Sequence, residues 1–201
     1  MSLTQIIRPF LLKRLHALDL YTSRAEDLQR NALQRLVDRA AGTQWGEQHN
    51  YARIRSYEDF AKSQPVHTYE ELKGYIDRMR QGEKDLLWPG VVKWYAKSSG
   101  TTNDKSKFIP VSKDGLKDTH YRGGTDAVVW YLRNNPQSRI FDGRALILGG
   151  SHAPNYNLKS SLVGDLSAIL IENINPLVNL VRVPAKATAL LSDFEVKRDR
   201  I

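Results

Sequence analysis

The densest chemical signal in the chain is a run of ten residues between two candidate strands: Ser98-Ser99-Gly100-Thr101-Thr102-Asn103-Asp104-Lys105-Ser106-Lys107. Its first five residues are all small or hydroxylated. Such a stretch brings backbone N–H groups and hydroxyls close around an anion, and Gly100 permits a conformation that other residues avoid. Lys105 and Lys107 then add mobile positive charge, which suits a phosphate. A plain polar connection between strands is the alternative, but a hairpin has no use for ten polar residues with two lysines. Two known phosphate loops are excluded. A P-loop needs a second glycine after four intervening residues from Gly100, where Lys105 stands. The dinucleotide fingerprint G-x-G-x-x-G occurs nowhere in the chain.

The elements that would position this loop are legible from periodicity. Upstream, Val92, Trp94 and Ala96 alternate with Lys93, Tyr95 and Lys97, which predicts a strand. Trp94 and Tyr95 are expected to be core residues. Downstream, Phe108-Ile109-Pro110-Val111 predicts a second strand, short or at an edge because proline donates no ladder hydrogen bond. Before the first strand, Thr68 and Glu71 predict a capping box. Leu72, Tyr75, Ile76 and Met79 form the apolar face of that helix, Gly82 stops it, and Trp88-Pro89-Gly90 is a turn.

Further upstream, Ile6, Ile7, Phe10, Leu11, Leu15 and Leu18 recur at helical spacing, with Arg8, Lys13 and Arg14 opposite. We read one amphipathic helix packed on its own protein, in preference to a membrane-surface helix. Ser23 and Glu26 predict a capping box for a second helix, with Leu28, Ala32, Leu36, Val37 and Ala40 on one face and Gly42 at its end. Ser56 and Asp59 mark a short helix start. After the loop, Ser112 to Asn134 reads as a helix weakened by Gly123-Gly124, and Arg144 to Gly150 as a buried strand. A loop from Ser151 to Asn157 follows, then helix or mixed structure carrying Leu166, Ile169, Leu170, Ile174, Leu177 and Leu180. Strands alternating with helices predict an α/β class. His120 is expected on a helix surface or packed, and His152 in the loop at the end of a strand, where α/β proteins bind ligands.

Composition narrows the chemistry. The 201 residues allow one compact domain, or one domain with an arm. With 41% hydrophobic and 26% charged residues, the chain is an ordinary globular one rather than a disordered tail. It has no cysteine, which excludes disulfides, thiolate nucleophiles and Cys-ligated zinc. No apolar run is long enough to span a membrane, and the N-terminal stretch lacks the small-residue cleavage site of a secretory signal. A cytoplasmic location is expected. The net charge of +8 is spread along the chain and interleaved with acids, as at Glu26, Asp27 and Arg30. There is no basic run or nucleic-acid motif, so the expectation is no nucleic-acid partner. An anionic substrate such as a nucleotide would use the same surplus locally.

Ser-Ser-Gly-Thr-Thr followed by a spaced lysine resembles the phosphate-binding motif of acyl-adenylate-forming enzymes. PVHTYEELKGYIDRMRQGEKDLLWPG followed by KWYAKSSGTTNDKSKFIPVS resembles the Gretchen Hagen 3 family, the auxin-responsive acyl-acid amido synthetases of plants and their bacterial relatives. The likeness is most specific from Pro65 to Val111 and looser through the helix after Ser112 and the strand near Ala145. On this resemblance the chain is identified as the N-terminal fragment of a bacterial-type member. The implied fold is the N-terminal part of an adenylate-forming enzyme. Residues 1–86 would be a helical lead-in, and 87–201 the start of an α/β ATP-binding domain.

The resemblance implies a two-step ligase. A substrate carboxylate attacks the α-phosphate of ATP, pyrophosphate leaves, and an amine such as an amino acid takes the acyl group. ATP and Mg2+ are the implied cofactors. By resemblance, Ser98, Ser99, Gly100, Thr101 and Thr102 wrap the phosphates and Lys107 is the motif's catalytic lysine. Lys105 lies in its variable stretch, and Asp104 stands where plant members usually carry glycine. No metal ligand is assigned. The family's acidic Ser-Glu motif, its ribose-binding aspartate and its C-terminal lid domain are not found. The isolated chain is therefore expected to be largely inactive. A non-enzymatic nucleotide- or partner-binding remnant, and an acyl-CoA or carrier-protein ligase, are the alternatives.

Overall fold

The structure, a computed structural model, describes residues 2–98 and 106–201. The single N-terminal helix expected from the apolar spacing is two helices, α1 (Leu3–Leu12) and α2 (Leu15–Ser23). The spacing runs through the break at Lys13-Arg14, so periodicity alone does not reveal it. Arg14, expected on a solvated face, instead meets Asp126 with its Nε at 2.8 Å. Thr4 is buried, and its hydroxyl donates to Asp142 at 2.9 Å. Arg8 donates to the carbonyls of Leu132 and Pro136. These contacts hold the N-terminal helices on the protein itself, although Phe10 remains 68% exposed.

The capping box expected at Ser23 and Glu26 does not form. Helix α2 continues through Ser23, whose hydroxyl donates back to the Asp19 carbonyl. Helix α3 (Ala25–Ala40) starts at Arg24 with no side-chain cap. Its Val37 and Ala40 are buried, but Leu36, placed on the same face by spacing, is half exposed. Gly42 does not end α3 through a left-handed conformation, since Gly82 and Gly90 are the positive-φ glycines among the described residues. Instead Thr43 takes over: its hydroxyl donates to the Ala40 carbonyl at 2.7 Å and accepts the Gly46 N–H that starts α4 (Gln44–Gln48).

Helix α5 (Tyr57–Ser63) starts as expected, with the Ser56 hydroxyl accepting the Asp59 N–H. Helix α6 (Tyr69–Arg80) has the predicted capping box. The Glu71 carboxylate accepts the Thr68 N–H at 2.5 Å, and that bond holds its carboxyl below the ordinary range. Gly82 follows with φ +98°, a left-handed conformation that glycine tolerates best. The chain then bends at Asp85 to Gly90, where the Gly90 N–H donates to the Asp85 carboxylate at 2.7 Å.

Strand β1 (Trp94–Lys97) is the centre of a three-stranded sheet. It pairs antiparallel with β2 (Phe108–Val111), with Lys97 opposite Phe108. Pro110 therefore lies on an edge strand, as its missing N–H requires. Both faces of β1 are covered. Tyr95, fully buried, packs with Ile76 and Met79 of α6. Ala96 packs on the other side with Leu116 and Ile169. The alternation of the sequence is thus not one of core against solvent.

The helix expected from Ser112 to Asn134 is present in three parts. Ser112 caps α7 (Lys113–Gly115), a π-helical stretch spans Leu116–Tyr121, and α8 (Arg122–Asn134) follows through the two glycines. The strand expected at Arg144 to Gly150 shrinks to β3 (Ala145–Leu146), and it is not buried. It pairs only with the two-residue β5 (Arg182–Val183), apart from the larger sheet, and Leu146 and Leu148 are 60% and 57% exposed. Strand β4 (Leu162–Gly164) runs parallel to β1, and α9 (Leu166–Asn173), α10 (Lys186–Ala189) and α11 (Phe194–Asp199) complete the chain.

Candidate functional site

Strands β1 and β4 are parallel, so their C-terminal ends share one edge of the sheet. That edge is where open α/β sheets place ligands. Ser98 leaves β1 there, and the chain enters α9 there after Gly164. The Ser98 N–H donates to the Lys107 carbonyl at 3.0 Å, which closes the base of the loop. The loop residues Ser99, Gly100, Thr101 and Thr102, together with Asp104 and Lys105, lie outside the described residues.

Beside the loop base lies an open groove of about 420 Å³. Its apolar lining comes from Ala96, Ile109, Val111 and Leu166, and its polar lining includes Ser98, Thr119 and His120. Ser112 also lines it, with its hydroxyl committed to the Gly115 N–H at 3.0 Å. The π-helical stretch carries Thr119 and His120 to the rim. His120, exposed on its helix as expected, therefore faces a groove rather than open surface.

Lys107 sits with its Nζ 5.3 Å from the centre of the Tyr69 ring, and the Tyr69 hydroxyl accepts the Phe108 N–H at 3.0 Å. Lys97, at the other end of the loop, lies 4.3 Å above the Tyr156 ring. The Arg80 guanidinium lies 3.8 Å above the Phe108 ring and donates to the Tyr156 carbonyl at 2.7 Å. Sequence reasoning did not single out Arg80, Lys97, Tyr69 or Tyr156. Lys97 directly precedes the motif serine, and that adjacency was its one visible signal. The others converge only through folding.

His152 takes a different place. Its ring stacks on Trp94 at 5.3 Å, and its Nε2 lies 3.6 Å from the Glu172 carboxylate, which also takes Lys186 at 2.8 Å. It does not line the groove. Tyr95 is core, as expected, and burial pushes its hydroxyl up to about 12. Trp94 is only partly buried. Among the described residues no group of three His, Asp or Glu is arranged to hold a metal ion.

A family profile described as the GH3 family N-terminal domain matches residues 14–195. The chain belongs to the GH3 family. Among curated GH3 proteins, the indole-3-acetic acid-amido synthetase GH3.6 of Arabidopsis thaliana is 29% identical over 96 residues, covering 47% of this chain and 16% of that protein. The jasmonoyl–L-amino acid synthetase JAR4 of Nicotiana attenuata is 25% identical over 129 residues, covering 64% of this chain and 22% of that protein. The solved structure of the GH3.15 acyl acid amido synthetase aligns with a TM-score of 0.69 and 19% identity, over 89% of this chain and 31% of that one. At that identity the likeness establishes the fold. The chain has the mixed helix-and-sheet architecture of a GH3 N-terminal domain and spans less than a third of each of these three relatives.

Proposed function

We propose that this chain supplies the N-terminal part of an ATP-dependent acyl-acid amido synthetase. The observation that carries the reading is the join between Ser98 and Lys107, which brings the first serine of the phosphate motif and its lysine together beside an apolar-lined groove. ATP supplies an electrophilic α-phosphorus and a pyrophosphate leaving group. Lys107 offsets charge on the phosphates, Ser98 donates its hydroxyl, and Ser99, Gly100, Thr101 and Thr102 donate backbone and hydroxyl hydrogen bonds to them. Ile109, Val111 and Leu166 receive the apolar body of the acid and direct its carboxylate toward the loop base. Thr119 and His120 provide polar contacts at the rim.

Mg2+ would offset charge on the nucleotide phosphates, and no group of three His, Asp or Glu among the described residues is arranged to hold it. In domain terms, residues 1–86 serve as a helical lead-in and 87–201 open the ATP-binding domain, in the cytoplasm. No described helix is long and apolar enough to cross a membrane. The names of the relatives support a carboxylic acid and an amino acid as the two partners.

Calorimetric titration of the chain with ATP tests the loop. Lys107→Ala is expected to weaken binding about tenfold, the value of one charge-assisted hydrogen bond. Unchanged binding would refute the role of Lys107. Acid-dependent exchange of pyrophosphate into ATP by the longest protein carrying this chain tests the ligase. Nucleotide binding without exchange across a wide acid panel would favour a non-catalytic binding domain.

A further inference from the structure

The three cations around the loop base share a feature that the phosphate motif does not explain. Each is held on an aromatic ring: Lys97 on Tyr156, Arg80 on Phe108 and Lys107 on Tyr69. The rings themselves are joined. Phe108 and Tyr156 pack at 5.8 Å, Phe108 pairs in register with Lys97, and the Phe108 N–H donates to the Tyr69 hydroxyl. The cations therefore converge on one side of the β1–β2 edge.

Among the described residues, nothing neutralises their charge. Among the described residues no carboxylate forms an ion pair with Lys97, Arg80 or Lys107. Two acids close to Arg80 in the chain are committed elsewhere, Asp77 to Lys73 and Glu83 to Arg78. An aromatic face orients a cation but leaves its charge available to an anion. Two buried polar atoms in this region also lack a partner among the described residues, the Arg80 Nε and the Tyr95 hydroxyl, and Tyr95 lies on the same face of β1 as Lys97. A like-charged group that has no counterion among the described residues, with unsatisfied polar atoms on the same side of the sheet, is suited to a ligand of high negative charge.

We propose that Lys97 and Arg80, with Lys107, form a receiving site for inorganic pyrophosphate, the group that leaves ATP in the reaction proposed above. The inference rests on that reading and adds two residues outside the motif, with Tyr156 and Phe108 holding them in place. In chemical terms, the bond between the α-phosphorus and its bridging oxygen breaks as the carboxylate oxygen bonds to that phosphorus. The electron pair leaves with the pyrophosphate, and the cations offset the charge it gains. No proton transfer is required of the lysines.

The test is calorimetric titration of the chain with sodium pyrophosphate and, separately, with ATP. The variants are Lys97→Met, Lys97→Arg and Lys107→Ala, each checked for folding by circular dichroism. Lys97→Met is expected to weaken pyrophosphate binding about tenfold, with a shallower salt dependence, while Lys97→Arg largely preserves it. If Lys97→Met binds pyrophosphate as the parent does while Lys107→Ala loses ATP, the inference falls and the loop reading stands. If the parent binds neither ligand, both fall. Pyrophosphate binding that depends on Lys97 with ATP binding indifferent to Lys107 would uphold the site and overturn the loop assignment.

Discussion

Replacing Tyr95 by phenylalanine removes one oxygen from the centre of the sheet. Tyr95 is fully buried, and its hydroxyl has no hydrogen-bond partner among the described residues. An unpaired buried hydroxyl costs about 1–3 kcal/mol. Tyr95→Phe is therefore expected to stabilise the chain by about 1 kcal/mol at pH 8, the lower end of that range. Alkali enlarges the difference. Burial raises the hydroxyl from 10 to about 12 in the folded chain. Because the folded pKa lies above the unfolded one, the contribution of the neutral phenol is intact below pH 10. It is lost as the pH rises through 12, since the unfolded chain releases the proton first. At pH 11 the unfolded state gains about 1 kcal/mol relative to the folded one from this group alone.

The stabilising effect of Tyr95→Phe should thus grow from about 1 kcal/mol at pH 8 to about 2 kcal/mol at pH 11. Urea unfolding of parent and variant at both values measures it, and the difference cancels the other tyrosines and the lysines. A destabilised variant at pH 8 would show that the hydroxyl makes a bond the chain depends on. A pH-independent difference would show that it is not buried.

Two further outcomes follow from local geometry. Gly82→Ala meets both a positive φ and a Cβ 2.9 Å from that of Ser160, so a loss of about 1–3 kcal/mol is expected in thermal or urea unfolding. Wild-type stability there would refute the left-handed turn after α6. The Asp142 carboxyl is held far below its ordinary range, chiefly by Arg139 and then by Thr4. Its contribution is present above the ordinary carboxylate pKa and is lost as the pH falls below it. Asp142→Asn should flatten the acid limb of the stability profile, and an unchanged limb would count against the contact between α1 and the segment after α8.

What the sequence determined by itself is local. The Thr68–Glu71 box, the Ser56 cap, the stop at Gly82 and the edge position of Pro110 each depend on residues a few positions apart, whose chemistry has one good solution nearby. The strands that flank the loop were equally readable, because alternation marks one and the proline places the other at an edge. Where two local solutions competed, the sequence misled. Ser23 and Glu26 satisfy the capping pattern, but α2 extends through Ser23 and takes its hydroxyl.

Tertiary structure decided the rest, since burial and charge pairing depend on what folds over a segment. Arg14 became a partner of Asp126, and Tyr95 was buried on the face that alternation assigned to lysines, because α6 covers that side of the sheet. The apolar run at Ala145 to Leu148 stayed exposed because no described element covers it. The cation group drew Arg80, Lys97 and Lys107 onto rings from three separate segments. No spacing rule links positions 69, 108 and 156. Only the pairing of β1 with β2, and the packing of α6 and the segment after β3 against them, brings those rings to one edge.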